Sequence, residues 1–310
     1  IADFLGRGQY GYVYDAINIF DHQHYAIKIF KSSEYYAQAA LDETNIFLKL
    51  NNSDDSVNRT KIVKYYSTFT FKGHVCIVLE MLSFSLYDVL RERRYKGLPF
   101  CLVKKILNDI AKGLKVFHDL GLSHFDVKPE NILLESYSSS NVKLADVGSA
   151  QYNGKLNSSY VVTRYYRPPE IVLKNNMSEK ADVWSLGCLA VEMISGRVLF
   201  DATNELELLN LIEEKLEKPI PVHLVEKSPV SDNFYNGRTL KSYQNDRHNS
   251  TLEELIANIV PPSNYSEKQI ENETKSKGLF IDLIRNMLDP NPFTRFSIDE
   301  VMYHPFLKSD

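Results

Sequence analysis

The chain has 310 residues, 44% of them hydrophobic and 25% charged, with 19 Tyr and 16 Phe. That apolar content is enough for a substantial core, and the length fits a two-lobed unit or two modest domains better than one small fold. The formal net charge of −4 supplies no global basic field of the kind that draws nucleic acid or a membrane surface. Neither is expected as a partner.

Cys76, Cys101 and Cys188 lie far apart in apolar surroundings and lack metal-ligand spacing. They read as buried, reduced thiols rather than a disulfide framework or a zinc site. No window approaches the roughly 18–20 uninterrupted apolar residues of a membrane span, and no charged-then-apolar leader is present. A soluble intracellular protein, of the nucleus or cytoplasm, is the expectation. Because the chain opens directly in a motif at Ile1 and stops just after "HPFLKSD", an excised domain is expected.

The stretch "IADFLGRGQYGYVYDAINIFDHQHYAIKIF" reads as three short strands joined by turns. Gly6, Gly8 and Gly11 form G-x-G-x-x-G, after Leu5 and before Val13. Without side chains at these points a hairpin backbone can close over phosphates and offer its N–H groups. A dinucleotide fold would want a helix straight after Gly11, and a strand-like run follows instead. Lys28 lies inside the apolar strand "AIKIF". In "YYAQAALDETNIFLKL" the helical spacing puts Ala40, Glu43, Phe47 and Leu50 on one face, so Glu43 points inward and can pair with Lys28. Two further strands, "KIVKYYSTFTF" and "HVCIVLEM", complete an antiparallel sheet with one helix.

"EMLSFSLYDVLRERRY" leads into a helix whose basic end reads as solvated, and "CLVKKILNDIAKGLKVFHDLG" is a long amphipathic helix. Then comes "LSHFDVKPENILL". A turn explains one of Asp126, Lys128 and Asn131, but not all three around Pro129. Phosphoryl transfer needs a carboxylate to orient the attacking hydroxyl, a cation on the moving phosphoryl group and an oxygen ligand for Mg²⁺; Asp126, Lys128 and Asn131 suit these in turn. "VKLADVGSA" ends a strand in Asp146-Val147-Gly148, where Asp146 is the natural second ligand for a hard cation.

Taken in order, Gly6-x-Gly8-x-x-Gly11-x-Val13, Ala26-Ile27-Lys28, Glu43, His124-Phe125-Asp126 with Lys128 and Asn131, Asp146-Val147-Gly148 and Pro168-Pro169-Glu170 resemble the eukaryotic protein kinases. The resemblance continues through "ADVWSLGCLAVEMISG" with Asp182 and ends in "DPNPFTRFSIDEVMYHPFL", where Arg295 matches an arginine that pairs with Glu170. "SSYVVTRYYRPPE", with Arg167 before Pro168, is similar to the CMGC group. "EMLSFSLYDVL" resembles its dual-specificity tyrosine-regulated branch, and "NELELLNLIEEKL" the Cdc2-like (LAMMER) branch.

The resemblance implies an α+β fold of two lobes: residues 1–82 as an antiparallel sheet with one helix, and residues 83–310 as a mainly helical lobe with an insert within 201–278. It implies ATP and Mg²⁺ as cofactors, and protein hydroxyls, possible tyrosines included, as substrates. Basic or serine/arginine-rich proteins are a family-based expectation, with the enzyme acting as a monomer. Leu5, Val13, Ala26 and Leu133 would enclose adenine, Leu79 would be the gatekeeper, and Glu80 and Leu82 would present hinge backbone to the base. Phe125 stands where many kinases carry a phosphate-sensing arginine, which removes a regulatory contact and not the chemistry. Tyr160 would take a phosphate clamped by Arg164 and Arg167, with Ser158 and Ser159 as weaker candidates. Two alternatives remain at this stage: a nucleotide-binding scaffold without turnover, and a kinase of small metabolites. Residues 201–278 are less informative: "FYNGRTL" reads as a small hairpin, and "PPSNYSEKQIENETKSKG" as an exposed polar loop.

Overall fold

The computed structural model describes residues 1–154, 162–243, 250–260 and 266–308. Strands β1 (Asp3–Arg7), β2 (Gly11–Ile17) and β3 (His24–Phe30), helix α1 (Glu34–Asn51), and strands β4 (Tyr65–Phe71) and β5 (His74–Glu80) follow in that order. The five strands form one antiparallel sheet in the order β1-β2-β3-β5-β4. Local chemistry sets its turns. Between β2 and β3, Asn18 and Asp21 accept the backbone N–H groups of Phe20 and Gln23, the side-chain mimicry that Asn and Asp bring to turns. Between β4 and β5, Lys72 and Gly73 both have positive φ, and Phe71 faces His74 across a two-residue turn. Ser33 caps α1 by accepting the N–H of Tyr36. The predicted stripe Ala40, Glu43, Phe47 and Leu50 is buried, and Phe47 stacks on Tyr65 with ring centroids 5.4 Å apart.

Beyond the sheet come α2 (Leu86–Glu92), α3 (Phe100–Asp119), the short strands β6 (Leu122–Ser123), β7 (Ile132–Leu134), β8 (Val142–Leu144) and β9 (Gln151–Tyr152), then α4 (Pro169–Val172) and α5 (Lys180–Ser195). β7 pairs with β8, and β6 with β9, so the loops after β6 and β8 are brought side by side. α5 is buried from Ala181 to Ile194, on every face. A helix with no solvent side is a core element. The basic run at the end of α2 is exposed from Arg91 to Lys96, as expected.

The remaining elements are α6 (Glu205–Leu216), α7 (Val222–Lys227), α8 (Ser231–Phe234), β10 (Tyr235–Asn236), β11 (Thr239–Leu240), α9 (Leu252–Ala257), α10 (Glu267–Met287), α11 (Ile298–Tyr303) and α12 (Pro305–Lys308). β10 and β11 are the expected hairpin, with Gly237 at φ 62° in its turn. Two expectations are corrected. The polar stretch read as a loop is helical from Glu267, because Phe280, Leu283, Ile284 and Met287 form a buried stripe downstream and its polar first turns extend that helix. Cys76 and Cys188 are buried free thiols, but Cys101 lies exposed on α3. Among the described residues no helix is long and apolar enough to cross a membrane.

Candidate active site

One half of the site is an ion cluster assembled from three elements. Lys28 sits centrally in β3, between Val13 of β2 and Ile77 of β5, and cannot turn to solvent. Its Nζ donates to both oxygens of Glu43 at 2.9 and 2.8 Å and to Asp146 Oδ1 at 3.0 Å. Burial works against the charge on Lys28, yet the carboxylates of Asp146 and Glu43 outweigh it and hold the ammonium above the ordinary lysine range. Burial pushes the Glu43 carboxyl up, with Lys28 opposing. The Lys28 ammonium holds Asp146 down at about 2 although burial opposes it, so this half-exposed carboxylate is ionised at any physiological pH. Asp146 adopts a left-handed conformation (φ 57°, ψ 81°) and accepts the N–H of Gly148. A Cβ on Gly148 would stand 3.1 Å from Glu43 Oε2 and 3.2 Å from Asp146 Oδ1, so the glycine leaves room for the cluster.

The other half is the loop after β6. Asp182 of α5 is fully buried and accepts the backbone N–H groups of His124 and Phe125, each at 2.8 Å, and lies 3.0 Å from His118 Nε2. These bonds hold Phe125 at φ 59° with its ring in the core. Phe125 is therefore an internal packing residue, which an arginine at this position could be only with a partner for its charge. His124 bridges the two loops: its Nε2 lies 3.1 Å from the Ala145 carbonyl, and its Nδ1 accepts the N–H of Asp126.

Asp126 stands at the end of this scaffold. Its Oδ2 is 2.7 Å from Lys128 Nζ and accepts from Asn131 Nδ2 at 3.0 Å, and Asn131 Nδ2 also donates to the Asp126 carbonyl. With its amide nitrogen so committed, Asn131 has its Oδ1 left as a ligand atom, the hard oxygen donor Mg²⁺ prefers. Asn131 O accepts the N–H of Ala145, which sets Asn131 beside the residue before Asp146. Thr163 donates its hydroxyl to Asp126 Oδ1 at 2.8 Å and receives Lys128 Nζ at 3.3 Å. Sequence reasoning did not single out Thr163. Its only signal was its place in "VVTRYYRPPE", 37 residues from Asp126.

The predicted nucleotide-facing residues gather at the sheet. Val13 is on β2, Ala26 on β3 and Leu79 on β5, with Ala26 and Leu79 directly paired. Ser83 donates its N–H to Leu134 O and Leu134 donates to Phe84 O, so Leu133 of β7 lies just below the segment that carries Leu82. The Glu80 side chain turns elsewhere, pairing with Lys143 at 2.7 Å and accepting the N–H of Lys64; that leaves only its backbone for a base. The three glycines are not equivalent. A Cβ on Gly11 would lie 2.1 Å from Ile29 O, so packing demands glycine there, whereas Gly6 and Gly8 have nothing within 4 Å of theirs. The space in front of Gly6 and Gly8, beside Leu5 on β1, is open to a ligand.

Around the expected regulatory position, Tyr160, Ser158 and Ser159 lie outside the described residues. Arg167 and Arg164 both reach Glu205 Oε1 of α6, at 3.0 and 3.4 Å, and Arg167 also donates to Val162 O. Both arginines thus already hold a carboxylate. Arg295 makes the expected fork with Glu170, at 2.6 and 2.9 Å, both fully buried. Nearby, Tyr166 donates to Glu192 Oε2 at 2.6 Å, and burial raises Glu192 to about 7.

This geometry agrees with what the chain is similar to. The family profile described as "Protein kinase domain" matches residues 1–307. Serine/threonine-protein kinase ppk5 of Schizosaccharomyces pombe is 32% identical over 99% of this chain and 35% of its own length. Dual specificity protein kinase CLK2 of Homo sapiens is 32% identical over 99% of this chain and 63% of its own length. Serine/threonine-protein kinase AFC3 of Arabidopsis thaliana is 31% identical over the whole chain and 82% of its own. The chain thus spans about a third to two thirds of the first two relatives.

Proposed function

The chain belongs to the protein kinase family, with relatives of the CMGC, LAMMER type, and from that premise we propose how its residues divide the work. Residues 1–82 and 83–310 are the two lobes, and ATP enters between them. Leu5, Val13, Ala26, Leu79 and Leu133 enclose adenine, and the backbone of Glu80 and Leu82 bonds its edge. Gly6, Gly8 and Gly11 cover the phosphates. Lys28, held by Glu43, is the cation that positions them.

Asp126 orients a serine or threonine hydroxyl of a protein substrate and accepts its proton, and Lys128 carries charge on the transferred phosphoryl group. Asn131 Oδ1 and Asp146 are the oxygen ligands for Mg²⁺, which when bound offsets phosphate charge. The observation that carries this reading is Asp126 itself: a carboxylate with one oxygen on Lys128 and Asn131 and the other on a hydroxyl, in a loop pinned to a buried helix. That is an acceptor already addressing an O–H donor.

The substrates are basic or serine/arginine-rich segments, a reading supported by the net charge of −4. The enzyme acts as a monomer in the nucleus or cytoplasm, and Tyr160 is its autophosphorylated residue, its phosphate displacing Glu205 from Arg164 and Arg167. The test is transfer of the γ-phosphate of ATP to a set of basic and serine/arginine peptides. Asp126→Asn should lower the rate about 10²–10⁴-fold and leave nucleotide binding in place. Equal incorporation by wild type and Asp126→Asn defeats the reading, and transfer to small metabolites but not peptides replaces it.

A further inference from the structure

Between the end of α1, the start of β4 and β8 lies a cavity of about 430 Å³, and none of the residues proposed to hold ATP or to carry the transfer lines it. That volume is in the range of ligand pockets. Its floor is apolar: Phe47 and Leu50 of α1 and Ile62 and Val63 ahead of β4 are all buried. Its rim is basic. Arg59 of the helical turn Asn58–Lys61, Lys64 and Lys143 of β8 line it, and among the described residues no carboxylate does. In a chain of net charge −4 this is a local reversal of sign. Each cation is held at its own station. Arg59 Nη1 donates to Asn51 O at the end of α1. Lys143 Nζ donates to both oxygens of Glu80, at 2.9 and 2.7 Å, and Glu80 Oε1 also accepts the N–H of Lys64. Lys64 Nζ lies 4.7 Å from the centre of the Tyr66 ring. Among the described residues Arg59 and Lys64 have no carboxylate partner, so one anion, Glu80, stands beside three cations.

We propose that this cavity is a docking site for an acidic segment of a partner protein, which seats one aromatic or aliphatic side chain on the floor and places carboxylates on Arg59 and Lys64. Burial of the anchor supplies the affinity. The two cations gain their first carboxylates, which fixes the direction of the bound chain and turns basic segments away. A single-headed anion would satisfy one station; a peptide with carboxylates on both sides of its anchor satisfies two. Glu80 places the cavity relative to the nucleotide: its backbone is proposed to meet the base, while its carboxylate turns to Lys143 on the rim. The docked segment therefore lies behind ATP and leaves the nucleotide in place. The docking cavity and the transfer site then select opposite charges, an acidic segment here and a basic one at Asp126, so a protein carrying both is held at two points.

The experiment titrates the chain, without ATP, into fluorescein-labelled heptapeptides of Asp and Glu that carry Phe, Leu, Tyr, Trp or Ser at the centre, and follows fluorescence anisotropy. At least one peptide with an apolar centre should bind about tenfold more tightly than the Ser peptide. Saturating Mg-ATP should leave that affinity within about twofold. Lys64→Glu and Arg59→Gln should each weaken it about three- to tenfold. The Lys64 side chain is exposed, so Lys64→Glu keeps the test independent of folding, which the urea midpoint checks. No binding by any peptide with an apolar centre overturns the docking site and leaves phosphoryl transfer untouched. Equal binding of the Ser peptide reduces the rim to unspecific attraction and removes the cavity from the account. Displacement by ATP moves the peptide into the nucleotide cleft, which also overturns the site. Unchanged affinity in both variants overturns the role of the rim.

Discussion

On the Asp126 side of the cleft, Asp182 of α5 holds two consecutive backbone N–H groups, His124 ties the loop to Ala145, and every anchor is buried in the larger lobe. On the Lys28 side, the three charges come from β3, α1 and the turn after β8, brought together by their mutual attraction, the packing of α1 and the backbone bond from Val63 N–H to Leu144 O. The first side is a rigid floor, specified by covalent neighbours and a core helix. The second is assembled from three separate elements, with a half-exposed Asp146 at its outer edge. Damage to the floor should therefore appear as lost stability, and damage to the cluster as lost activity in a folded protein.

The largest effect tests the floor. Asp182→Ala orphans two buried backbone donors, each costing about 1–3 kcal/mol, so urea unfolding should show a loss of about 3–5 kcal/mol. Asp182→Asn, whose carbonyl can still accept, should recover part of it. A stable Asp182→Ala protein with slow turnover would mean the floor is not structural. In the cluster, Lys28→Met should lower kcat/KM for ATP about 10²–10³-fold with a smaller change in the urea midpoint. The buried Glu43 carboxyl, already pushed up, can take a proton once its partner is gone. Unfolding of Lys28→Met would erase the distinction.

The two regions should also answer pH with opposite sign. Glu192, on the floor side, is raised to about 7 by burial, so the folded chain holds its proton where the unfolded chain has lost it. The stability this gives is complete below about pH 4.5 and is lost as pH rises through about 7. Between pH 5 and 7 wild type should lose roughly 1–2 kcal/mol that Glu192→Gln does not lose. Asp146 behaves in reverse: its lowered value makes a contribution present above about pH 4 and lost as pH falls toward 2. Thermal unfolding across pH 2–8 reads both, and a flat difference between wild type and Glu192→Gln would remove the first.

The cluster was the more legible side. Lys28 stands out as a charge in an apolar strand, and the spacing Ala40, Glu43, Phe47, Leu50 alone turns Glu43 inward, so a period and a charge pointed to the pair that the structure holds at 2.8 Å. The hairpin at Asn236–Gly237 was legible for the same reason: short-range turn chemistry decides it. Gly11 and Gly6 look alike in sequence, and only the 2.1 Å approach to Ile29 O separates a packing glycine from one facing open space. The start of α10 was hidden because a buried stripe thirteen residues later, not local propensity, makes its polar first turn helical. Asp182 and Glu205 act across 57 and 38 residues of chain, distances at which no periodicity carries information.

Thr163 is the sharpest case of that blindness and the subtlest test of the floor. Its hydroxyl joins Asp126 Oδ1 at 2.8 Å and Lys128 Nζ at 3.3 Å, so it bridges the proposed acceptor of the substrate proton and the cation proposed to face the phosphoryl group. Thr163→Val keeps the shape and removes the hydrogen bond, a loss of about 1 kcal/mol, so kcat should fall about five- to tenfold with little change in KM for ATP. Thr163→Ser restores the hydroxyl and should return most of the rate. If instead Thr163→Val is fully active, Asp126 is oriented by Lys128 and Asn131 alone, and the floor needs nothing from the segment that carries Thr163. If Thr163→Ser is as slow as Thr163→Val, the methyl group's packing matters more than the bond. Only rescue by serine makes the segment that carries Thr163 part of the rigid side.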